Sequence, residues 1–476
     1  MMETISSKYP DHTWELVSER SIRCIYRLLR NDSVEYYVKI YNPDTLLEKI
    51  RNFLSPRTLH EAYLLKQLQY SGIPVPEVKE HIHRKEASAL ITRAIFPAKG
   101  LHEVEKDAQI RIMLGMCVDL INHGYHFTDM HAGNIILDEK DTPFLVDAYE
   151  IIPCRRITPK NAASLLAQAA NIYNLSGKDL DPYLSRIDAI ADPGKLKRRI
   201  RSLSQSFRNA RVKRWIRRSF REGSFSCIRD NGSYLAMVRR GLTLDLDSVM
   251  NAHRANISLR NNVYKFQDKT QLSRVGDYCV KSYKETARLA TPYAKRSWKG
   301  ALTLLFNDIP VADPVALVLF RDRKSMLITK ALDQPDLDVL IDSEYDRISP
   351  DDRQRTAKAF GSLIGALHKR KIYHADLKAS NIKADLSGPN FFFLDTDRVE
   401  QRRTLSRRKR LKNLVQINTS IPLRVSRGDR MVFLEAYCAV TGDDPRDMFR
   451  RVWKLSSGQE VVYRTLAGDR VERWDK

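Results

Sequence analysis

The 476-residue sequence has no Cys-x-x-Cys pair; its six cysteines, Cys24, Cys117, Cys154, Cys227, Cys279 and Cys438, are scattered. That excludes the common cysteine zinc sites and a dense disulfide framework, and it fits free thiols in a reducing cytosol. No apolar run approaches the roughly 18 residues of a membrane span. The opening MMETISSKYPDHTWELV also lacks the basic-then-apolar order of a secretory signal, so membrane association is expected to be peripheral at most. With 19 Gly and 19 Pro the chain is neither collagenous nor of low complexity, and 43% hydrophobic residues are too many for a disordered chain. Acid is in short supply: 58 Asp and Glu face 81 Lys and Arg, a formal net charge of +23. Such an excess points to polyanionic partners, with nucleic acid, anionic membrane and phosphorylated substrate all open.

At roughly 100 to 200 residues per domain the length favours two or three domains. An internal repeat sharpens this. ALITRAI at 89–95 returns as MLITKAL at 326–332, and Ile73, Pro74, Val75 return as Ile309, Pro310, Val311. Asp129 with Asn134 returns as Asp376 with Asn381, and a strand ending at Asp147 returns as one ending at Asp395. A period near 240 is too long for a solenoid and reads as a duplicated domain, each copy burying its own core. The expected division is 1–210 and 211–476. Each copy starts β-rich (Tyr36 to Tyr41; Tyr278 to Tyr283), passes through a helical stretch and a Pro-marked turn to the Leu-Ile-Thr strand, and ends in a mostly helical tail. In the second copy Ala357, Phe360, Ile364 and Leu367 recur at helical steps; in the first, Ile110, Met113, Leu114, Cys117 and Ile121 do so.

After those helices the copies read YHFTDMHAGNIILDEKDTPFLVDAY and YHADLKASNIKADLSGPNFFFLDTD. In both, an Asp is followed five residues later by Asn, and a further Asp ends the next strand. The spacing suits phosphoryl transfer, in which one carboxylate orients the attacking hydroxyl while an amide oxygen and a second carboxylate hold Mg2+ on nucleotide phosphates. The pattern resembles protein-kinase-like folds. Lys39 in YYVKIY and Lys281 in YCVKSY lie in short alternating strands, where such folds place the lysine that holds ATP phosphates. A strand lysine is ordinarily a solvated one; its place ahead of the Asp-Asn-Asp set is what suggests the phosphate role. Glu61 opens EAYLLKQL where a kinase helix presents a carboxylate to that lysine, although a solvated first-turn Glu is the plainer reading. The same register in the second copy gives Ser297, so that ion pair is not expected there. Neither SERSIRCIYRLL nor RNNVYKFQDK contains the glycines of a phosphate loop. Two residues past the first Asp stand His131 in one copy and Lys378 in the other; either, when cationic, could neutralise charge on the transferred group. His374 is read as structural.

LHKRKIYHADLKASNI, FLDTDRV, RRTLSRRKRLKNLVQIN, DRMVFLEAY and RSWKGALTLLFNDIPVADPVALV together resemble the bacterial lipopolysaccharide kinase family, across about residues 260 to 440. The first copy is similar to a more distant, heptose-kinase-like relative. The resemblance implies an α+β architecture of two tandem protein-kinase-like domains, each with a β-rich small lobe and a helical large lobe. It also implies phosphorylation of a Kdo or heptose hydroxyl of the lipopolysaccharide inner core. On this reading Asp129 and Asp376 are the bases, Asn134, Asp147, Asn381 and Asp395 hold Mg2+, and Lys39 and Lys281 hold ATP.

Residues 195–221 carry twelve Lys or Arg and no acid, and RRTLSRRKRLK follows Asp395. A solvated helical face is the ordinary reading. An anionic membrane is the next, with Trp215, Ile216 and Phe220 set among the charges. No nucleic-acid motif with stacking aromatics accompanies them. The expected setting is cytoplasmic, peripheral at the inner face of the bacterial inner membrane, with lipopolysaccharide core or its precursor as partner. Two rivals stand beside this reading. One is a protein or small-molecule kinase of the same fold; the other is a pair in which one module is a pseudokinase acting as a binding scaffold.

Overall fold

A computed structural model describes the chain except residues 21, 174, 189–191, 285–286, 288–289, 386–387 and 475–476. The chain forms two compact units, Met1–Asn209 and Ala210–Lys476, and the division falls within the helix Pro193–Arg218. All six cysteines are free. Among the described residues no helix is long and apolar enough to cross a membrane.

The first unit opens with five antiparallel strands, Thr13–Arg20, Arg23–Arg30, Ser33–Tyr41, Val78–His83 and Ser88–Arg93, ordered first, second, third, fifth, fourth. Alternation along the third strand sends Val38 and Ile40 into a small core with Ile5, Leu28, Ala89 and Ile91 and leaves Lys39 on the opposite face. Helix Arg57–Tyr70 packs on that second face, burying Ala62, Leu64, Leu65 and Leu68. Below lie Lys106–Asn122 and Pro159–Tyr173, joined by two small ladders: Tyr125–Phe127 against Ile151–Pro153, and Ile135–Leu137 against Pro143–Leu145.

The second unit repeats the plan with an addition. Val263–Gln267, Thr270–Val275, Tyr278–Tyr283, Pro314–Phe320 and Ser325–Lys330 again run first, second, third, fifth, fourth. The hairpin Ser226–Asp230 and Tyr234–Arg239 extends the sheet past the fourth of these to seven strands. Lys281 stands opposite Leu327 as Lys39 stands opposite Leu90, so both lysines occupy one position in the repeated register. The helical part is built on Pro350–Lys369, Arg407–Asn418, Arg427–Thr441 and Pro445–Ser456. Ser349, Ser406, Ser426 and Asp444 each accept a backbone N–H at the helix start, and Gly442 ends one helix in the left-handed region at φ 82°. Ile372–His374 pairs with Val399–Gln401 and Ile382–Asp385 with Asn390–Phe393, matching the two small ladders of the first unit. A final hairpin, Glu460–Thr465 and Gly468–Arg473, ends a tail that periodicity suggested to be helical.

The basic helix places the three apolar side chains set among its charges. Ile216 and Phe220 pack beside the buried Trp298 and Leu302, and Trp215 lies edge-on to Phe306 at 5.1 Å. Ile216 and Phe220 are thus partly buried within the second unit, while Trp215 stays 36% exposed.

Candidate active site

In the second unit Lys281 reaches inward from its strand to Asp395, Nζ to Oδ1 2.6 Å. Asp395 is the first residue past the Asn390–Phe393 strand and Leu394, and its backbone is left-handed at φ 45°. Burial opposes the lysine's charge, but the Tyr283 ring, 5.4 Å away, and Asp395 outweigh it and hold the ammonium above its ordinary pKa. Burial likewise pushes the Asp395 carboxyl up, yet Lys281, with smaller help from Lys265, leaves it below its usual range. Both partners are therefore charged at neutral pH. Asp397 differs: burial and the Asp395 charge raise it.

The loop carrying Asp376 is tied to this pair through the backbone. Leu394 N–H donates to the Asn381 carbonyl at 2.8 Å. Asn381 Nδ2 donates to the Asp376 carbonyl at 2.9 Å and to its Oδ2 at 3.2 Å. Lys378 Nζ stands 3.3 Å from Asp376 Oδ1. His374, fully buried and held neutral by that burial, accepts from Asp376 N–H at 3.3 Å and meets the Leu394 carbonyl at 3.2 Å. Asn413 and Gln416 of the Arg407–Asn418 helix donate to the His374 and Ala375 carbonyls at 2.6 and 2.9 Å. A loop held from three sides keeps its carboxylate in place before anything binds.

Lys281, Asn381 and Asp395 line a cleft of about 660 Å³, with Leu272, Val311, Leu327 and Phe393 as apolar walls, a size and lining suited to a nucleotide. At one side Asp336 pairs with Lys383 at 3.0 Å and with Arg464 at 3.1 Å, and the last of these arrives from the C-terminal hairpin. Asn381 spends its amide hydrogens on Asp376, which turns its oxygen to other uses; with an Asp395 oxygen it offers the hard donors Mg2+ accepts when phosphate and water complete the octahedron. Among the described residues no three His, Cys, Asp or Glu side chains gather as a metal cluster.

In the first unit Lys39 is shared. Its Nζ lies 2.5 Å from Glu61, 3.8 Å from Asp147 and 3.3 Å from the Val146 carbonyl. Burial works against its charge, but the two carboxylates raise it. Full burial pushes Glu61 up, and Lys39 pulls it back. Asn134 Nδ2 donates to the Asp129 carbonyl at 3.0 Å, Val146 N–H donates to the Asn134 carbonyl at 3.0 Å, and His131 lies 3.6 Å from Asp129. Gln168 braces the loop by donating to the Phe127 carbonyl and accepting from Met130 N–H, both at 2.8 Å.

The structure thus brings Lys39, Glu61 and Asp147 together, and Asp129 with Asn134 and His131; likewise Lys281 with Asp395, and Asp376 with Asn381 and Lys378. Ser297 does not stand in for Glu61: its hydroxyl meets Tyr283 at 2.8 Å and its carbonyl accepts from Thr396 at 2.8 Å. Sequence reasoning passed over the braces Gln168, Asn413 and Gln416, and two cations beside the metal-side Asp. Arg23, at the start of the second strand, is 3.5 Å from Asp147; Lys265, on the first strand of its sheet, lines the cleft and lowers Asp395. Both lie in the two glycine-free stretches, SERSIRCIYRLL and RNNVYKFQDK, where a charged side chain was the available signal.

Residues 251–437 match the model of the Lipopolysaccharide kinase (Kdo/WaaP) family. No curated protein matches the chain. Among solved structures, the bifunctional kinase-methyltransferase WbdD is similar at 14% identity and TM-score 0.28, over 38% of this chain and 42% of that one. The matched part is under half of that protein's length, and so slight a likeness carries no argument. The matched segment lies in the second unit, and the family whose model it matches is one of kinases.

Proposed function

We propose that the chain transfers a phosphoryl group from ATP to a hydroxyl of a lipopolysaccharide inner-core sugar, Kdo or heptose, and that its two units are tandem kinase-like domains. The carrying observation is the chain of contacts Lys281–Asp395, Leu394–Asn381 and Asn381–Asp376 beside one cleft, inside the family-matched segment. Asp376 aligns the sugar hydroxyl and takes its proton, while Lys378 neutralises charge next to it. Lys281 places a fixed cation at the phosphate position, and Asn381 and Asp395 present oxygens for the metal. From outside the chain come a phosphoryl donor and divalent charge, as Mg2+ and ATP. Lys265 supplies a side-chain cation where glycine-loop amides would otherwise approach the phosphates. In the first unit Lys39, Glu61, Asp129, His131, Asn134 and Asp147 take the corresponding roles, with Arg23 beside them. An acceptor anchored in lipid and a net charge of +23 favour work at an anionic membrane surface, the inner face of the inner membrane.

The test is transfer of labelled phosphate to core oligosaccharide. Asp376→Ala should lower turnover by about 10²- to 10⁴-fold, and Asp129→Ala should remove whatever the first unit contributes. A double variant with unchanged turnover would refute the assignment. Label entering a protein pool but not the oligosaccharide would move the acceptor to another class.

A further inference from the structure

The first unit contains a helix turned inside out. Leu46–Leu54 reads LLEKIRNFL and starts at a capping box of Thr45 and Glu48. At about 100° per residue, Leu46, Leu47, Ile50, Phe53 and Leu54 share an arc of about 120°. A globular protein ordinarily buries such a face, but here all five are 48% to 80% exposed. The inward side is polar: Asn52 is buried, accepting from the Ser88 hydroxyl at 2.8 Å, and its carbonyl meets His83 at 3.1 Å. Lys49 and Arg51 stand about 40° outside the two edges of the apolar arc. On the next helix Leu59 and Tyr63 are also exposed, at 51% and 57%.

We infer that this face docks the protein on an anionic lipid surface. An apolar arc bordered on both sides by cations, with the polar side tied down, is the arrangement of a helix lying in a membrane interface: the side chains enter the acyl boundary and the cations meet headgroups. Charge decides between possible occupants. Lys49, Arg51 and Lys66 are exposed around the patch and Glu48 is the acid on the helix, so a second copy of this chain, itself at +23, would meet like charge, whereas anionic headgroups are complementary. The choice of lipid also rests on the lipid-anchored acceptor proposed above; the orientation of the helix does not.

The experiment is co-sedimentation of the full chain with phosphatidylcholine vesicles, with and without phosphatidylglycerol. Binding should require the anionic lipid. Leu47→Ser, Phe53→Ser and Leu54→Ser together should weaken it roughly tenfold or more, and Lys49→Gln with Arg51→Gln should weaken it by a similar factor at low salt. Tryptophan emission of a Leu47→Trp variant should shift to the blue on vesicles. Thermal melting unchanged from the parent chain shows that each variant is folded. Equal binding by the triple serine variant, binding without anionic lipid, or a dimer of the parent chain that the triple variant dissociates would each overturn the inference. Sedimentation needs no turnover, and the triple variant should phosphorylate a soluble, delipidated core acceptor at the parent rate, so failure of lipid docking and failure of the sugar-kinase reading are told apart.

Discussion

The two units place a lysine at the same position of the same sheet and then satisfy it differently. Lys39 is divided between Glu61 on the packed helix and Asp147 below it, so helix, strand and loop are joined through one ammonium. Lys281 gives its short contact to Asp395, and the helix Tyr293–Leu305 is coupled to the site by close packing instead. Small side chains make that possible: Ser297 hydrogen-bonds Tyr283, and a Cβ on Gly300 would lie 1.9 Å from the Thr396 carbonyl oxygen. In the first unit the position corresponding to Gly300 is Leu64, fully buried in the core. One unit therefore orients its helix by charge and the other by contact, and the two devices should fail in different ways.

The largest expected difference is in stability. Lys39→Ala strands Glu61, whose side chain is 0% exposed, and an orphaned buried charge costs about 3–5 kcal/mol. Lys281→Ala leaves Asp395, 31% exposed, which water can reach, and should cost about 1 kcal/mol. Hydrogen exchange of each sheet in urea reads the units separately. Because burial already raises the Glu61 carboxyl, the Lys39→Ala loss should shrink in acid as Glu61 takes up a proton. Equal losses in the two units would erase the distinction between charge and contact.

Gly300→Ala tests the other half. The intruding methyl meets backbone, which must move, at about 1–3 kcal/mol. Gly361→Ala is the control, since its Cβ would lie 2.1 Å from the Phe433 carbonyl oxygen in the helical part. Both should lower the unfolding midpoint of the second unit, but only Gly300→Ala should weaken nucleotide binding, because Thr396 adjoins Asp395. Similar nucleotide affinity in the two variants would detach the helix from the site.

The part of this comparison that was legible in the sequence is local. Alternation around Lys39 and Lys281 marks strands, the Asp-to-Asn step of five is a loop property, and the shared distance to Ile-Pro-Val placed Ser297 opposite Glu61. What escaped depends on distant partners. Gln168, Asn413 and Gln416 are unremarkable helix residues until a loop some 40 positions away presents its carbonyls. Likewise, the apolar period of Leu46–Leu54 cannot say which side faces the protein, because Asn52 settles that through Ser88. The added hairpin Ser226–Arg239 joins the sheet edge by pairing with Pro314–Phe320, far along the chain, and the closing hairpin, paired only with itself, meets the site through the distant Arg464–Asp336 ion pair.

A further difference, confined to the second unit, is in acid stability. His368 is buried between the Tyr437 hydroxyl at 3.0 Å and Asn413 Oδ1 at 3.2 Å, and burial lowers its pKa from 6.5 to about 4. The histidines that burial lowers in the first unit, His81 and His126, are only half-buried. As pH falls below 6.5 the unfolded chain binds a proton that folded His368 refuses, so stability is present above that value and drains away toward about 4, by about 1.4 kcal/mol per pH unit. Below about 4 both states are protonated and the slope ends. His368→Gln cannot titrate, so the difference between parent and variant in the urea midpoint of the second unit, followed from pH 7 to pH 4.5, isolates this histidine from the carboxylates. Since Asn413 also holds the His374 carbonyl, protonating His368 should loosen the Asp376 loop before the unit unfolds, and a loss of nucleotide binding that precedes the unfolding transition in the parent but not in His368→Gln would show it.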